Sequence, residues 1–242
     1  MKPRPHLLKG ERLPPEPVQK RSLAKRERLK TAALDLFGRK GYEATSIEDV
    51  AARAGLAVGT FYQHYRSKRQ LLLALMDELL ENLSRLDLRP RGAADPRAIL
   101  HAILSAAFAH DLRFLGAYRA WQQAAISDAD LRRKQARIQD WTTARVTLLF
   151  EGLSRLPGAR READIPALAR AMDTYFWTLL AQASLLSRRE LEGSVGAATH
   201  LIFHALFTDE AEAGARDSLA TEAPGGASSP GKPSRVTKEE RR

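Results

Sequence analysis

An all-α fold with about nine helices is what this 242-residue chain predicts, and three observations carry the reading. Apolar residues recur at helical period: Leu29, Ala32, Ala33, Leu36 and Phe37 trace one stripe at i, i+3, i+4, i+7 and i+8. Helix-start signals recur as well, in Thr45 with Glu48, Ser67 with Gln70, Asp95 before Pro96, and Asp164 two residues ahead of Pro166. No strand-length alternation bounded by hairpin turns interrupts them.

The elements follow in order. Residues 1–20, proline-rich and basic without apolar periodicity, predict a disordered tail. The stripe then predicts a helix near Ser22–Arg39. Thr45, as N-cap, opens a nine-residue helix at Ser46–Ala54, Gly55 turns the chain, and a shorter helix runs near Val58–His64. Ser67 opens a leucine-rich helix from Lys68 past Leu83, and Pro90 and Gly92 mark the loop Arg89–Ala94. Further helices begin at Asp95 and Asp128, the second ending at Pro157–Gly158, and two more cover about Asp164–Leu186 and Leu191–Phe207. The stretch 209–242 is again too polar to order itself. The organisation expected is therefore tail 1–20, a three-helix unit 21–67, a helical body 68–208 joined through the long helix, and tail 209–242.

Composition excludes several chemistries. With no cysteine there are no disulfides, thiolate metal sites or cysteine nucleophiles. No apolar run approaches the roughly 18–20 residues of a membrane span, and MKPRPHLLKGER lacks a signal-peptide core. A cytoplasmic protein without a membrane partner is expected. The net charge of +10 is local: residues 1–69 carry 16 basic and 7 acidic side chains, against 17 and 15 over 70–208. A polyanion partner and a merely solvated face both fit that asymmetry.

Helices as short as 46–54 and 58–64 are marginal alone, so each must pack on a longer neighbour. Two short helices about a glycine turn make a helix-turn-helix, the second helix being the reading element. Over about residues 26–73 the segment RERLKTAALDLFGRKGYEATSIEDVAARAGLAVGTFYQHYRSKRQLL resembles the amino-terminal DNA-binding domain of TetR-family transcriptional regulators. The matching features are AALDLF, GY-x-x-TS, AG before the turn, GTFY-x-HY, and SK opening the next helix. The resemblance implies duplex DNA as partner. It also implies phosphate contacts by Tyr62, His64 and Lys68.

The residues themselves support such contacts. Thr45 and Ser46 stand at a helix start, whose free N–H groups favour phosphate oxygens or simply receive a cap. Gly59 lets the backbone approach base edges, Thr60 and Tyr62 offer hydroxyls, and Val58, Gly59 and Gln63 are the base-reading candidates. Gln63 could instead meet phosphate or water. Phe61 reads as core, and the Tyr65 hydroxyl needs a partner. Ala57 stands where relatives often cap the helix with serine or threonine. Arg69, where glutamate is frequent, offers a further phosphate contact, and Lys20, Arg21, Lys25, Arg26 and Arg28 a basic arm for a minor groove.

For the body, the resemblance implies a regulatory and dimerisation domain with a ligand cavity. Phe114, Tyr118, Trp121, Gln122, Trp141 and Phe176 are the candidate lining for a small apolar or aromatic effector, with Arg119 and His110 as further polar anchors. The last two helices are expected to pair with a second copy through Ala167, Ala171, Leu179, Ala183, Leu186, His200, Phe203 and His204. His200 and His204, four apart, lack further ligands in sequence, so no metal is assigned. No nucleophile–base set or phosphate loop is legible; neither catalysis nor a cofactor is expected. The combined expectation is a homodimeric, ligand-responsive repressor of a palindromic operator, with an effector-independent DNA-binding protein of the same fold as the alternative.

Overall fold

The computed structural model describes residues 2–15, 18–88, 95–183 and 186–208, with backbone alone for 108–111 and 188. Among them lie nine α-helices: α1 (Lys20–Lys40), α2 (Ile47–Arg53), α3 (Val58–His64), α4 (Lys68–Arg85), α5 (Pro96–Asp111), α6 (Leu115–Ser127), α7 (Ala129–Leu153), α8 (Ile165–Gln182) and α9 (Arg188–Leu206). A 3-10 turn, Leu112–Phe114, joins α5 to α6. The loop 89–94 and the tail 209–242 lie outside the described residues.

The predicted stripe is the buried face of α1: Leu29, Ala32, Ala33, Leu36 and Phe37 are all enclosed. Gly41, at φ 84, ends that helix in a conformation side chains disfavour. The α4 helix buries Leu71 through Met76 without interruption and so runs through the centre of the molecule. Caps close several starts as expected: Ser67 Oγ accepts from Gln70 N, and Asp164 Oδ1 accepts from Ala167 N at 3.0 Å.

Backbone-to-backbone packing joins the amino-terminal helices to the body. α1 crosses α6 at Gly116, where an added Cβ would lie 2.0 Å from the Leu34 carbonyl oxygen. Beside the crossing, Arg119 Nη1 donates to Gly38 O at 2.6 Å, and the Tyr42 amide donates to Gln123 Oε1 at 2.6 Å. Arg119 is thus a brace between units and not the ligand anchor expected of it.

Three expectations need correction. Residues 2–15 of the predicted disordered tail are a docked strap. Leu7 is fully buried, its amide donating to Asp77 Oδ1 of α4 at 2.7 Å and its carbonyl accepting from Lys134 Nζ of α7 at 2.9 Å. Arg4 adds ion pairs to Asp77 and Glu81, at 3.0 and 3.1 Å. One fully buried leucine, Leu7, among scattered charges makes no period, which is why composition alone misread the segment. Second, Pro96–Ser127 is long and apolar enough on average to cross a bilayer, contrary to the run-length reading. The 3-10 turn breaks it, and its α6 half buries Ala117, Tyr118, Ala120 and Trp121 among the other helices. Third, of the residues expected to face a second copy, Leu179, Ala183 and Phe203 are already buried within this chain, whereas Ala171 and His200 are exposed.

Gly116→Ala should cost about 1–3 kcal/mol, because the methyl group meets helix backbone that cannot step aside. Gly193→Ala on α9, where a Cβ meets open space, should instead be neutral or stabilising by up to about 1 kcal/mol. Urea denaturation of the two variants separates the cases. By the same measurement Leu7→Ala should cost about 2–4 kcal/mol, because it empties a fully buried site.

Candidate nucleic-acid interface

α2 and α3 are seven residues each and depend on what surrounds them. The cap of α2 is Ser46, one residue beyond the expected Thr45. Ser46 Oγ accepts from the Asp49 amide at 3.0 Å, and Asp49 Oδ2 accepts from the Ser46 amide at 3.1 Å, a reciprocal capping box. Thr45 is 1% exposed and its hydroxyl donates inward to Gly41 O at 2.7 Å. Adjacent hydroxyls compete for one cap, and the buried one serves the preceding turn. Between α2 and α3 Gly55 takes φ 63, and its carbonyl accepts from Arg28 Nη2 of α1 at 3.1 Å.

α3 has two faces. Phe61 is fully buried against Tyr65, ring centroids 5.8 Å apart, which fixes the helix on the core. Gly59, Tyr62 and Gln63, at i, i+3 and i+4, are exposed together, with Val58 and Thr60 half-buried at the edges. A Cβ on Gly59 would meet nothing within 4 Å. Nothing inside the molecule therefore requires glycine there, although glycine costs about 1 kcal/mol of helix propensity. Ala57 supplies no side-chain cap.

Charged and polar neighbours are partly committed inward. Lys68 Nζ donates to the carbonyls of Tyr42 and Thr45 at 2.6 and 2.9 Å and lies 4.3 Å from the Tyr42 ring centroid. It clamps the turn before α2 and carries its charge to that helix start, with burial lowering its pKa. Arg69 is bound by Glu11, Asp128 and Asp130 at 2.7, 2.7 and 2.6 Å, so the phosphate contact expected of it is replaced by a clasp of strap, α4 and α7. The basic residues from Lys20 to Arg28 lie within α1 and not in an arm ahead of it: Lys25, Arg26 and Arg28 fall inside the helix already expected from Ser22, and Lys20 and Arg21 join it because it begins two residues earlier. Arg26 Nε donates to the Tyr65 hydroxyl at 3.2 Å, the partner that phenol needed. His64 is 6% exposed, and neither ring nitrogen has a hydrogen-bond partner among the described residues. Burial, then the positive charges of Arg26 and Lys25, push its pKa below the ordinary 6.5.

A second feature lies in the body, a cavity of about 110 Å³ among the end of α4 and helices α5 to α8. Tyr118, Trp141 and Phe176 line it as expected. Phe114, Trp121 and Gln122 do not. Trp121 is buried elsewhere, its Nε1 donating to Gln135 Oε1 at 2.7 Å, Phe114 packs in the 3-10 turn, and Gln122 is exposed. The side chain of His110 lies outside the described residues. Sequence reasoning missed Arg145, Asp173 and Trp177 in the lining; the one available signal was the one-turn spacing of Arg145 from Trp141. Among the described residues no three metal-ligating side chains converge.

Comparison with known proteins bears on the first feature most directly. Residues 29–75 match the profile described as bacterial regulatory proteins, tetR family. YvdT of Bacillus subtilis, an uncharacterised HTH-type transcriptional regulator, is 32% identical over 92 residues, 38% of this chain and 47% of that protein. The HTH-type transcriptional activator FasR of Mycolicibacterium smegmatis is 34% identical over 101 residues, 41% of this chain and 43% of FasR. The chain thus aligns with less than half the length of either relative. Among solved structures, the complex of SmeT with triclosan superposes at a TM-score of 0.60 with 21% identity, over 87% of this chain and all of that one, which shows a common fold.

The lowered His64 pKa has a definite sign. Protonation is easier in the unfolded chain, so this group's contribution is fully present above about pH 6.5 and is lost as the pH falls below it, through the folded value. His64→Phe should therefore flatten the acid side of the stability profile, read as denaturation midpoints between about pH 7.5 and 5. A profile identical to that of the parent protein would show that His64 does not titrate in its buried site.

Proposed function

We propose that the chain, whose residues 29–75 match the tetR family of bacterial regulatory proteins, is a sequence-specific DNA-binding regulator, acting as a homodimeric, ligand-responsive repressor on a palindromic operator. The observation that carries this reading is the outer face of α3. Gly59, Tyr62 and Gln63 point outward together from a helix locked by Phe61, and Gly59 has no internal reason to lack a side chain. That face enters the major groove. Gln63 hydrogen-bonds a base edge, Val58 and Gly59 pack close to the bases, and the hydroxyls of Thr60 and Tyr62 reach the strands. Ser46 places the start of α2 at the backbone, and Lys68 and Thr45 hold that start from behind.

One α3 reads too few base pairs for a specific site, so a second copy related by a two-fold axis is required. Ala171, Thr174 and Thr178 on α8, with Ala197 and Leu201 on α9, are exposed and offer small or apolar contacts to it. The protein works in the cytoplasm, where its DNA is, and performs no catalysis. Ligand responsiveness rests on the cavity in the body, and SmeT, of the same fold, is known in complex with triclosan. Binding there favours a dimer whose α3 helices no longer fit successive grooves.

Selection from a random DNA pool should enrich a two-fold symmetric sequence, and light scattering should give a dimer. Gln63→Ala should lose about 1–3 kcal/mol of discrimination at one base pair per half-site while leaving the salt slope unchanged. Tyr62→Phe should weaken all sequences alike. Absence of any enriched sequence, or a monomer on the selected DNA, would overturn the proposal.

A further inference from the structure

Polar groups inside the body cavity are few and poorly matched to one another. Trp141 and Arg145 stand one turn apart on α7, and Asp173 faces the same space from α8. Trp141 is 2% exposed, and its indole N–H is buried with no hydrogen-bond partner among the described residues. Buried donors of this kind are rare without a reason. The Arg145 guanidinium lies 5.1 Å above the Trp141 ring, and its Nη2 donates to the carbonyls of Leu83 and Leu86, each at 2.9 Å. Among the described residues no carboxylate pairs with it, so a buried cation faces apolar walls with only neutral acceptors. Asp173 is occupied, accepting from the Thr143 hydroxyl at 3.1 Å.

The position of Arg145 adds a second point. Leu86, Leu88, Arg145 and Leu149 line both the cavity and an open groove of about 840 Å³ between the end of α4 and α7. The guanidinium therefore stands where groove and cavity meet. A molecule entering apolar end first would leave its polar end at Arg145.

We propose that the cavity takes a small apolar organic acid, its hydrocarbon body among Leu104, Val146, Phe150 and Met172 and its carboxylate shared between the Trp141 N–H and the Arg145 guanidinium. This assignment rests on the ligand-responsive reading above and gives that ligand a chemical class. A carboxylate supplies in one group the acceptor that Trp141 lacks and the counter-charge that Arg145 lacks. An amine does neither, and the Trp141 face that would attract it is already covered by Arg145. Burial pushes the Asp173 carboxyl up, toward the neutral form, which lessens its repulsion of an incoming acid. Size narrows the class further. A dry cavity of about 150 Å³ holds benzene, so 110 Å³, continuous with the groove, limits the body to one ring or a short branched chain at most.

The test is calorimetric titration of the full chain at neutral pH with benzoate, benzamide and benzylamine, which share a ring and differ in charge. Benzoate should bind at least about tenfold tighter than benzamide, and benzylamine weakest. Arg145→Lys should keep that preference and Arg145→Met should abolish it. Trp141→Phe, which leaves the α4 carbonyl contacts alone, should weaken benzoate even if the methionine variant fails to fold. Met172→Trp, which fills the cavity, should remove benzoate binding. Equal affinity for benzoate and benzamide, tighter binding of benzylamine, no binding of any probe, or benzoate binding that survives Met172→Trp each overturns the acid assignment. Operator release separates this from the broader reading: a neutral or cationic probe that binds in the cavity at least as tightly as benzoate and weakens operator binding refutes the acid class and leaves ligand-responsive regulation standing. Operator affinity unaffected by any cavity-bound probe refutes the regulation itself.

Discussion

Direct backbone contact between α1 and α6 is the constraint on which the arrangement depends. At Gly116 the two helices approach so closely that the Leu34 carbonyl occupies the space of a side chain. Arg119 and Gln123 then tie the end of α1 and the following residue to the same helix by hydrogen bonds from side chain to backbone or the reverse. α2 and α3 have no independent means of support: they pack on each other and on α1, and α1 sits on α6. The orientation of the exposed face of α3 relative to the body is therefore set by a contact between Leu34, which precedes α3 in the chain, and Gly116, which follows it.

The electrostatics of the amino-terminal quarter are more selective than a charge count suggests. Arg4, Lys30 and Arg69 are committed to carboxylates, and Arg28 and Lys68 to backbone carbonyls. These groups hold the strap, the turn and the start of α2 in place. Lys20, Arg21, Lys25 and Arg66 are exposed and remain as the outward positive field near α1 and the end of α3. Part of the basic excess thus builds the interface, and part faces a partner.

Helix order, the glycine turn and the core role of Phe61 were legible because each depends on local sequence: period, cap and left-handed turn. The Thr45–Ser46 ambiguity was not, since both residues carry a hydroxyl and only the tertiary turn at Gly41 decides which faces inward. Arg69 was misread for a similar reason, its three acidic partners being 58 to 61 residues away in sequence. The cavity was half legible. Aromatic residues concentrate in the body, but which of them meet is settled by how α5 to α8 cross, and Trp121 turned to Gln135 instead.

The strap has a kinetic corollary. Leu7 is held by Asp77 and Lys134, partners 70 and 127 residues further along, and it has no local structure of its own to wait in. Its seat exists only once α4 and α7 have come together, so a segment made before both helices settles after them. Until then the apolar seat of Leu7 stays uncovered, and the body carries an open slot that its own chain must fill.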